Sequence, residues 1–250
     1  MPQSTAPLID KVALVTGASK GIGKAIALAF GAAGAKVALT ARTTAEIETV
    51  AAQIEQGGSA ALAITADLSQ PDAVAQITRA TLDRFGRIDI LVNNAAIIHP
   101  PINLVDFDAA LWRQVLEVNL TAAALLTKAV LPTMIANRRG KIINIASIGG
   151  RKGGKGRSAY RVTKAGLISL TESVAAEVKP YGIDVNCICP GGVDTEGFRE
   201  AFNSQGRAEN PKLMEPAEIA ALALFLASDA SSAITGSAID AFGGTNPLFA

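Results

Sequence analysis

A chain of 250 residues with 23 basic and 22 acidic side chains carries a formal charge of +1, so it has no field to gather nucleic acid or an anionic membrane nonspecifically. With 49% hydrophobic and 18% charged residues it has an ordinary globular interior, and its length lets one core bury roughly 70–75% of the unfolded surface, so residues 1–250 read as a single domain. One histidine, His99, and two cysteines, Cys187 and Cys189, are too few for a metal site or a disulfide framework.

No apolar run reaches the ~18 residues of a membrane span, and MPQSTAPLID lacks the basic and apolar regions of a signal peptide; a cytoplasmic protein is expected. Residues 1–10 read as an N-terminal tail. Val12, Leu14 and Val15 form a strand without polar alternation, as a parallel strand covered on both faces requires. Ile22, Ile26, Ala29 and Phe30 then recur on one helix face. A second strand is expected over 36–40, a helix over 45–56 stopped by Gly57 and Gly58, a third strand over 60–66, and a helix over 71–85 stopped by Gly86. A fourth strand over 88–92 runs into Asn93-Asn94-Ala95-Ala96, and helical patterns follow over 106–118 and 120–137. The fifth strand spans 141–146, a long helix 158–181 and the sixth strand 183–188; a helix over 216–228 and a seventh strand over 237–242 close the chain. This alternation implies right-handed βαβ units and a doubly wound α/β fold, one parallel seven-stranded sheet with helices on both faces. Residues 194–215, rich in Asn, Gly, Pro and charge, read as a surface segment or substrate lid, with Phe198 and Phe202 one turn apart. Cys187 and Cys189, two apart in an apolar strand, read as buried small hydrophobes on one sheet face.

Ligands of such sheets bind beyond the carboxyl ends of the strands, which directs attention to Thr16, Asp67, Asn93, Ser147 and Pro190. Gly17, Gly21 and Gly23 let the backbone turn tightly and bring amides and a helix N-terminus to a phosphate. A nucleoside-triphosphate loop is excluded, because Ile22 stands where its glycine belongs and Lys24 is followed by Ala25 rather than a hydroxyl residue. Tyr160 and Lys164, at i and i+4, share a helix face; Ser147 precedes them at a strand end, and Asn119 follows the Asn93-Asn94 turn.

The stretch TGASKGIG resembles the cofactor turn of the short-chain dehydrogenases/reductases, and Asn119, Ser147, Tyr160 and Lys164 match that family's active-site tetrad in order and spacing. With the N-N-A segment, Pro190-Gly191 through Thr195 and the terminal ITGSAIDAFGG, the resemblance covers essentially the whole chain, although Ala96 replaces the family's glycine after N-N-A. It implies a Rossmann fold and a nicotinamide dinucleotide contacted by Gly17, Ser19, Lys20, Gly21, Ile22, Gly23, Arg42, Asp67, Leu68, Asn94, Ala95, Tyr160, Lys164, Pro190, Gly191, Val193 and Thr195. Where an NAD-selecting member carries Asp, this chain has Ala41 followed by Arg42. A guanidinium can grip a 2′-phosphate with two charge-assisted hydrogen bonds and Lys20 could add a second cation, so NADP(H) is the expected cofactor; the alternative is a solvated strand-end charge. Asp67 matches the residue that caps the adenine, with a helix N-cap as its rival role.

The chemistry implied is hydride transfer to or from a carbonyl carbon, with Tyr160 as general acid in reduction and base in oxidation, its phenol lowered from ~10 by the Lys164 ammonium. Ser147 would hydrogen-bond the carbonyl oxygen as charge develops there, and Asn119, by resemblance, would hold a water that passes protons to Lys164. Taken singly, Asn119 could be a helix cap, Ser147 a turn residue, and Tyr160 with Lys164 a packing pair. Arg151, Lys152, Lys155 and Arg157, on the glycine-rich loop between Ser147 and Tyr160, could recruit a carboxylate, a phosphate or an acidic carrier protein, or could simply be solvated. Carrier-linked reductases of the family often carry Arg before the Glu of the long helix, where this chain has Ala176 before Glu177. His99 either lines the pocket mouth or is only a loop residue, the second reading being preferred because the tetrad already supplies a proton relay. The expectation is a reductase of ketones, foremost 3-oxoacyl thioesters or other β-keto compounds, also able to oxidise secondary alcohols. The rivals are a polyol or sugar dehydrogenase and a non-catalytic dinucleotide-binding regulator, the latter expected to have lost Tyr160 or Lys164. A homotetramer paired through the two long helices is expected from the resemblance.

Overall fold

The computed structural model describes residues 6–202 and 213–243. Seven parallel strands, β1 (Val12–Thr16), β2 (Lys36–Ala41), β3 (Ala61–Thr65), β4 (Ile90–Asn93), β5 (Gly140–Ile145), β6 (Ile183–Pro190) and β7 (Ala238–Ala241), form one sheet in the order β3-β2-β1-β4-β5-β6-β7. The order reverses between β1 and β4, which opens a crevice beyond their carboxyl ends. The helices are α1 (Gly21–Ala32), α2 (Thr44–Gln56), α3 (Ala73–Phe85), α4 (Ala109–Leu116), α5 (Ala122–Asn137), α6 (Ser158–Val178), α7 (Glu196–Phe202) and α8 (Pro216–Ala227).

Side chains along β1 alternate between two cores. Ala13 and Val15 pack with Phe30 of α1, Ile47 of α2 and Ile219 of α8, whereas Leu14 packs with Ile77 of α3, Leu126 and Met134 of α5 and Val174 of α6. Helices therefore cover both faces, and the sequence's continuous apolar strands are explained by burial on each side. Leu8 is fully buried and its N–H donates to the Ala33 carbonyl (3.0 Å), so this part of the expected N-terminal tail is docked; residues 1–5 lie outside the described residues.

Three local readings need correction. The helices expected over 106–118 and 120–137 are one continuous run, joined by a π-helical turn, Glu117–Thr121, that holds Asn119; the change of helical period there looked like a break. This run, Ala109–Asn137, is by length and composition long and apolar enough to cross a membrane, contrary to the sequence reading, but Ala122, Leu126, Val130 and Met134 pack on the sheet as in a core helix. The α6 helix gives way at Val178 to a 3-10 turn, Lys179–Tyr181, where Pro180 has no N–H to continue the ladder. Of the expected lid, residues 196–202 are the helix α7 and Val193 bridges Met214, while 203–212 lie outside the described residues.

Candidate active site

The turn after β1 is fastened from behind. Thr16 Oγ1 accepts from the backbone N–H groups of Asn94 (3.0 Å) and Ala95 (3.1 Å), and Asn94 Nδ2 donates to the carbonyls of Thr16 (2.9 Å) and Gly17 (3.0 Å). Gly17 takes a φ of +62°, and a Cβ there would stand 2.8 Å from Ala95 Cα. At Gly23 a Cβ would meet the Gly17 carbonyl oxygen at 2.2 Å and Asn94 Nδ2 at 2.4 Å, so only glycine lets α1 begin this close to the turn. The result is a concave backbone surface at the N-terminus of a helix, which fits a dinucleotide pyrophosphate.

A cleft of about 330 Å3 runs from this turn across the crevice. Gly17, Ser19, Lys20, Gly21, Ile22, Arg42, Asp67, Leu68, Asn94 and Ala95 line it on the glycine-turn side, and Ser147, Tyr160, Lys164, Pro190, Gly191, Val193 and Thr195 on the other. Two of the residues expected to contact the cofactor or form the tetrad do not face it. Gly23 is buried behind the turn. Asn119 is also buried: its Oδ1 accepts from Ile97 N (2.7 Å) while Nδ2 donates to Ile97 O (3.1 Å) and Thr163 Oγ1 (3.4 Å). Its side chain thus pins the loop after β4, which the sequence reading did not foresee.

At the Arg42 end, Thr43 and Glu46 complete the wall. Asp67 Oδ1 accepts from Ser69 N (2.9 Å), and this bond holds the carboxyl below the usual carboxylate range; it caps a turn there, and not α3, whose N-cap is Asp72. Lys20, expected to add charge beside Arg42, is paired instead with Glu200 of α7 at 3.4 Å, with both side chains largely exposed.

Ser147, Tyr160 and Lys164 converge at the opposite end. Ser147 Oγ accepts from Gly149 N (3.0 Å) and stands beside Tyr160, where it favours the ionised phenol. Lys164 is 2% exposed, donates to the Ile145 carbonyl (2.7 Å), and places Nζ 5.6 Å from the centroid of the Tyr160 ring. Burial penalises its charged form and draws the ammonium down to about 8. Burial also pushes the Tyr160 phenol up, and the groups that pull it back are Ser147 and then the guanidinium charges of Arg157 and Arg161. In the sequence Arg157 reads as a loop cation that either recruits an anion or is solvated, and Arg161 is not singled out.

Beyond Tyr160 the wall is Ile97, Ile98, Val118 and Phe198, with Gln114 among them. Gln114 and Val118 are four apart on one helical run, but no spacing ties that pair to Ile97, Ile98 or Phe198, and only the position of Ile97 and Ile98 after N-N-A could have drawn attention to them. His99 does not line the mouth: it is 2% exposed, edge-on to Phe107 (4.9 Å between centroids), with Nδ1 2.6 Å from its acceptor, the Pro100 carbonyl. Cys187 and Cys189 are fully buried with Sγ atoms 3.9 Å apart. Such a cleft, with an amide-lined turn at one end and a phenol, a hydroxyl and an amine beside an apolar recess at the other, suits a dinucleotide and a small carbonyl compound side by side.

The family model for short chain dehydrogenases matches residues 11–206. The 3-oxoacyl-(acyl carrier protein) reductase of Synechocystis is 40% identical over 242 residues, covering 95% of this chain and 97% of that protein. A reductase of the same name from Vibrio cholerae is 38% identical over 243 residues, covering 95% and 98%. Among solved structures, a levodione reductase superposes with a TM-score of 0.89 at 32% identity, covering 95% of this chain and 98% of the other.

Proposed function

This chain belongs to the short-chain dehydrogenases, an oxidoreductase family, and on that footing we propose that it is an NADPH-dependent carbonyl reductase that also runs in reverse as an alcohol dehydrogenase. The observation that carries the reading is the convergence of Ser147, Tyr160 and Lys164 at the end of a cleft that begins on the glycine turn. A nicotinamide dinucleotide supplies or accepts the hydride. Ser147 donates a hydrogen bond to the substrate carbonyl oxygen as negative charge gathers on it. Tyr160 gives that oxygen its proton in reduction and takes it back in oxidation. Lys164 supplies a cation beside the phenol, and Asn119 keeps the Ile97 loop in register as one wall of the recess.

Arg42 is the residue proposed to hold a 2′-phosphate, because it lines the glycine-turn side of the cleft and Ala41 leaves no carboxylate at the strand end to repel one. The exposed Lys20–Glu200 pair is weak enough to open when a phosphate competes for the ammonium. The leading substrate class is a 3-oxoacyl thioester or another β-keto compound, supported by the apolar recess of Ile97, Ile98, Val118 and Phe198 and by the relatives' reaction. A homotetramer paired through α5 and α6 accords with Leu125 and Val162, which are 42% and 49% exposed on those helices.

The test is oxidation of NADPH and NADH against β-keto esters, acyl thioesters, cyclic diketones and keto sugars, with Tyr160→Phe and Arg42→Asp as controls. Turnover is expected with NADPH, falling on the order of 10³-fold in Tyr160→Phe while cofactor affinity stays near normal. Arg42→Asp is expected to reverse the cofactor preference. Undiminished turnover in Tyr160→Phe would falsify the mechanism; an unchanged preference in Arg42→Asp would remove the cofactor assignment.

A further inference from the structure

The four basic residues of the loop between Ser147 and Tyr160 do not behave as one solvated patch. Arg151 is spent on β7, donating from Nε to Asp240 Oδ1 (2.9 Å) and from a terminal nitrogen to the Ala238 carbonyl (2.7 Å). Lys152 and Lys155 are exposed. Arg157 turns inward: it is 8% exposed, donates to the carbonyl of His99, and its guanidinium carbon lies 5.9 Å from the centroid of the Tyr160 ring. The same ring has Lys164 Nζ at 5.6 Å, so two cations stand within the ~6 Å reach of a cation–π contact.

The two cations are not equivalent. Lys164, drawn down to about 8, loses its charge within an accessible pH range, whereas a guanidinium stays protonated throughout. The anchor of Arg157 is itself uncharged. Burial, with the Arg157 charge beside it, disfavours the charged imidazole of His99, whose Nδ1 serves the Pro100 carbonyl, while the His99 carbonyl accepts from the guanidinium.

We propose that Arg157 is a positioning residue for Tyr160, a permanent cation fixed by the His99 carbonyl against the phenol ring so that the phenolate is favoured when the proton leaves. This rests on the reading of Tyr160 as the group that gives and takes the substrate proton. The charged and titratable groups facing the phenol can be named from each side. Ser147 comes from the end of β5, Arg157, Arg161 and Lys164 from the first turns of α6, the thiols Cys187 and Cys189 from β6 under Ser147 and Lys164, and His99 from the loop after β4. Arg161 faces outward by comparison, donating to the carbonyls of Lys152 and of Gly153 (2.6 Å), where solvent screens it more.

The chain has two tyrosines, Tyr160 and Tyr181, so in a Tyr181→Phe background the ultraviolet absorbance of tyrosinate titrates Tyr160 alone, with neither substrate nor cofactor present. In that background Arg157→Gln, and independently the stem-preserving Arg157→Met, are expected to raise the midpoint by about one pH unit, because a removed cation no longer favours the phenolate. Arg157→Lys is expected to keep most of the original midpoint, and Arg161→Gln to move it less than Arg157→Gln does. An unmoved midpoint in whichever neutral variant folds overturns the proposal, as does a shift of equal size in Arg157→Lys, which would assign the effect to lost packing. The pH profile of alcohol oxidation should shift in step. A shifted titration without turnover on any ketone would leave Arg157's hold on the ring standing and remove the reductase reading instead.

Discussion

The two ends of the cleft are built from different material. At the first end the glycine turn offers a ligand-facing surface that is largely backbone, flanked by the side chains of Arg42 and Asp67 and held from behind by Thr16 and Asn94 through four hydrogen bonds of 2.9–3.1 Å. At the tyrosine end it is side chains carried by the loop after β4, the π turn, the end of β5, α6 and α7. A backbone surface tolerates almost no added atom but is indifferent to charge. A side-chain surface tolerates reshaping, yet each of its buried ionisable groups carries a cost of desolvation. Substitutions at the glycines of the first end should therefore act sterically and nearly without pH dependence, unlike those at the Arg42 and Asp67 side chains that flank them, and those at the second end should show themselves in pH.

The largest effect is expected at Gly23. In Gly23→Ala the new methyl would stand 2.2 Å from a backbone oxygen, which cannot swing away as a side chain could, so the turn must open. A destabilisation of about 3 kcal/mol or more is expected from the overpacking, with dinucleotide affinity falling at least ~10-fold. Denaturant melts and cofactor titration at two pH values check this. A loss that varied strongly with pH would break the comparison, since no titrating group touches that contact.

Lys164 tests the other end. Its amine holds a proton less firmly folded, at about 8, than at the 10.5 of an unperturbed lysine, so the folded state sheds the proton first and stability from this group climbs as pH rises from 8 to 10.5. The climb should approach 3 kcal/mol, about what that difference in proton affinity is worth for a group this buried, and below pH 8 the penalty is present in full. Lys164→Met should lack the climb and gain stability at pH 7 while losing turnover. The check is the difference between wild-type and variant denaturant stabilities at pH 7 and pH 10; parallel curves would mean that the amine is not desolvated.

The same contrast explains what could be read from the chain. Gly17, Gly21 and Gly23, or Tyr160 and Lys164, are legible because their partners are within a turn of one another, where spacing carries geometry. The parallel sheet and the helices covering both its faces followed from apolar runs alternating with helical periods, whereas the order of its strands depends on long-range pairing that no local pattern carries. The Lys20 partner Glu200 was not legible, being 180 positions away, and the inward turn of Arg157 was not either, since a basic residue in a glycine-rich loop looks solvated until the His99 carbonyl is seen beside it. The polar ties beneath the cleft, from Asn93 Nδ2 to Asn144 Oδ1 (2.9 Å) and from Asn144 Nδ2 to Thr171 Oγ1 (2.9 Å), join strands and a helix that no local pattern connects.

The smallest effect sharpens the comparison most finely, because it touches only the recess. Asp108 caps α4, its carboxylate accepting from Leu111 N at 2.7 Å, and α4 carries Gln114 before passing into the π turn with Val118 and Asn119. Asp108→Ala leaves that N–H to water at a cost of about 1 kcal/mol, a fall in Tm of about 2–4 °C, and Asp108→Asn should restore most of it. Fraying the first turn loosens one wall of the recess and none of the glycine turn. KM for a ketone is therefore expected to rise a few-fold, about as far as 1 kcal/mol allows, while dinucleotide affinity stays constant. If cofactor affinity fell in proportion, the two ends would be one cooperative unit, and the division between a backbone end and a side-chain end would describe their chemistry but not their energetics.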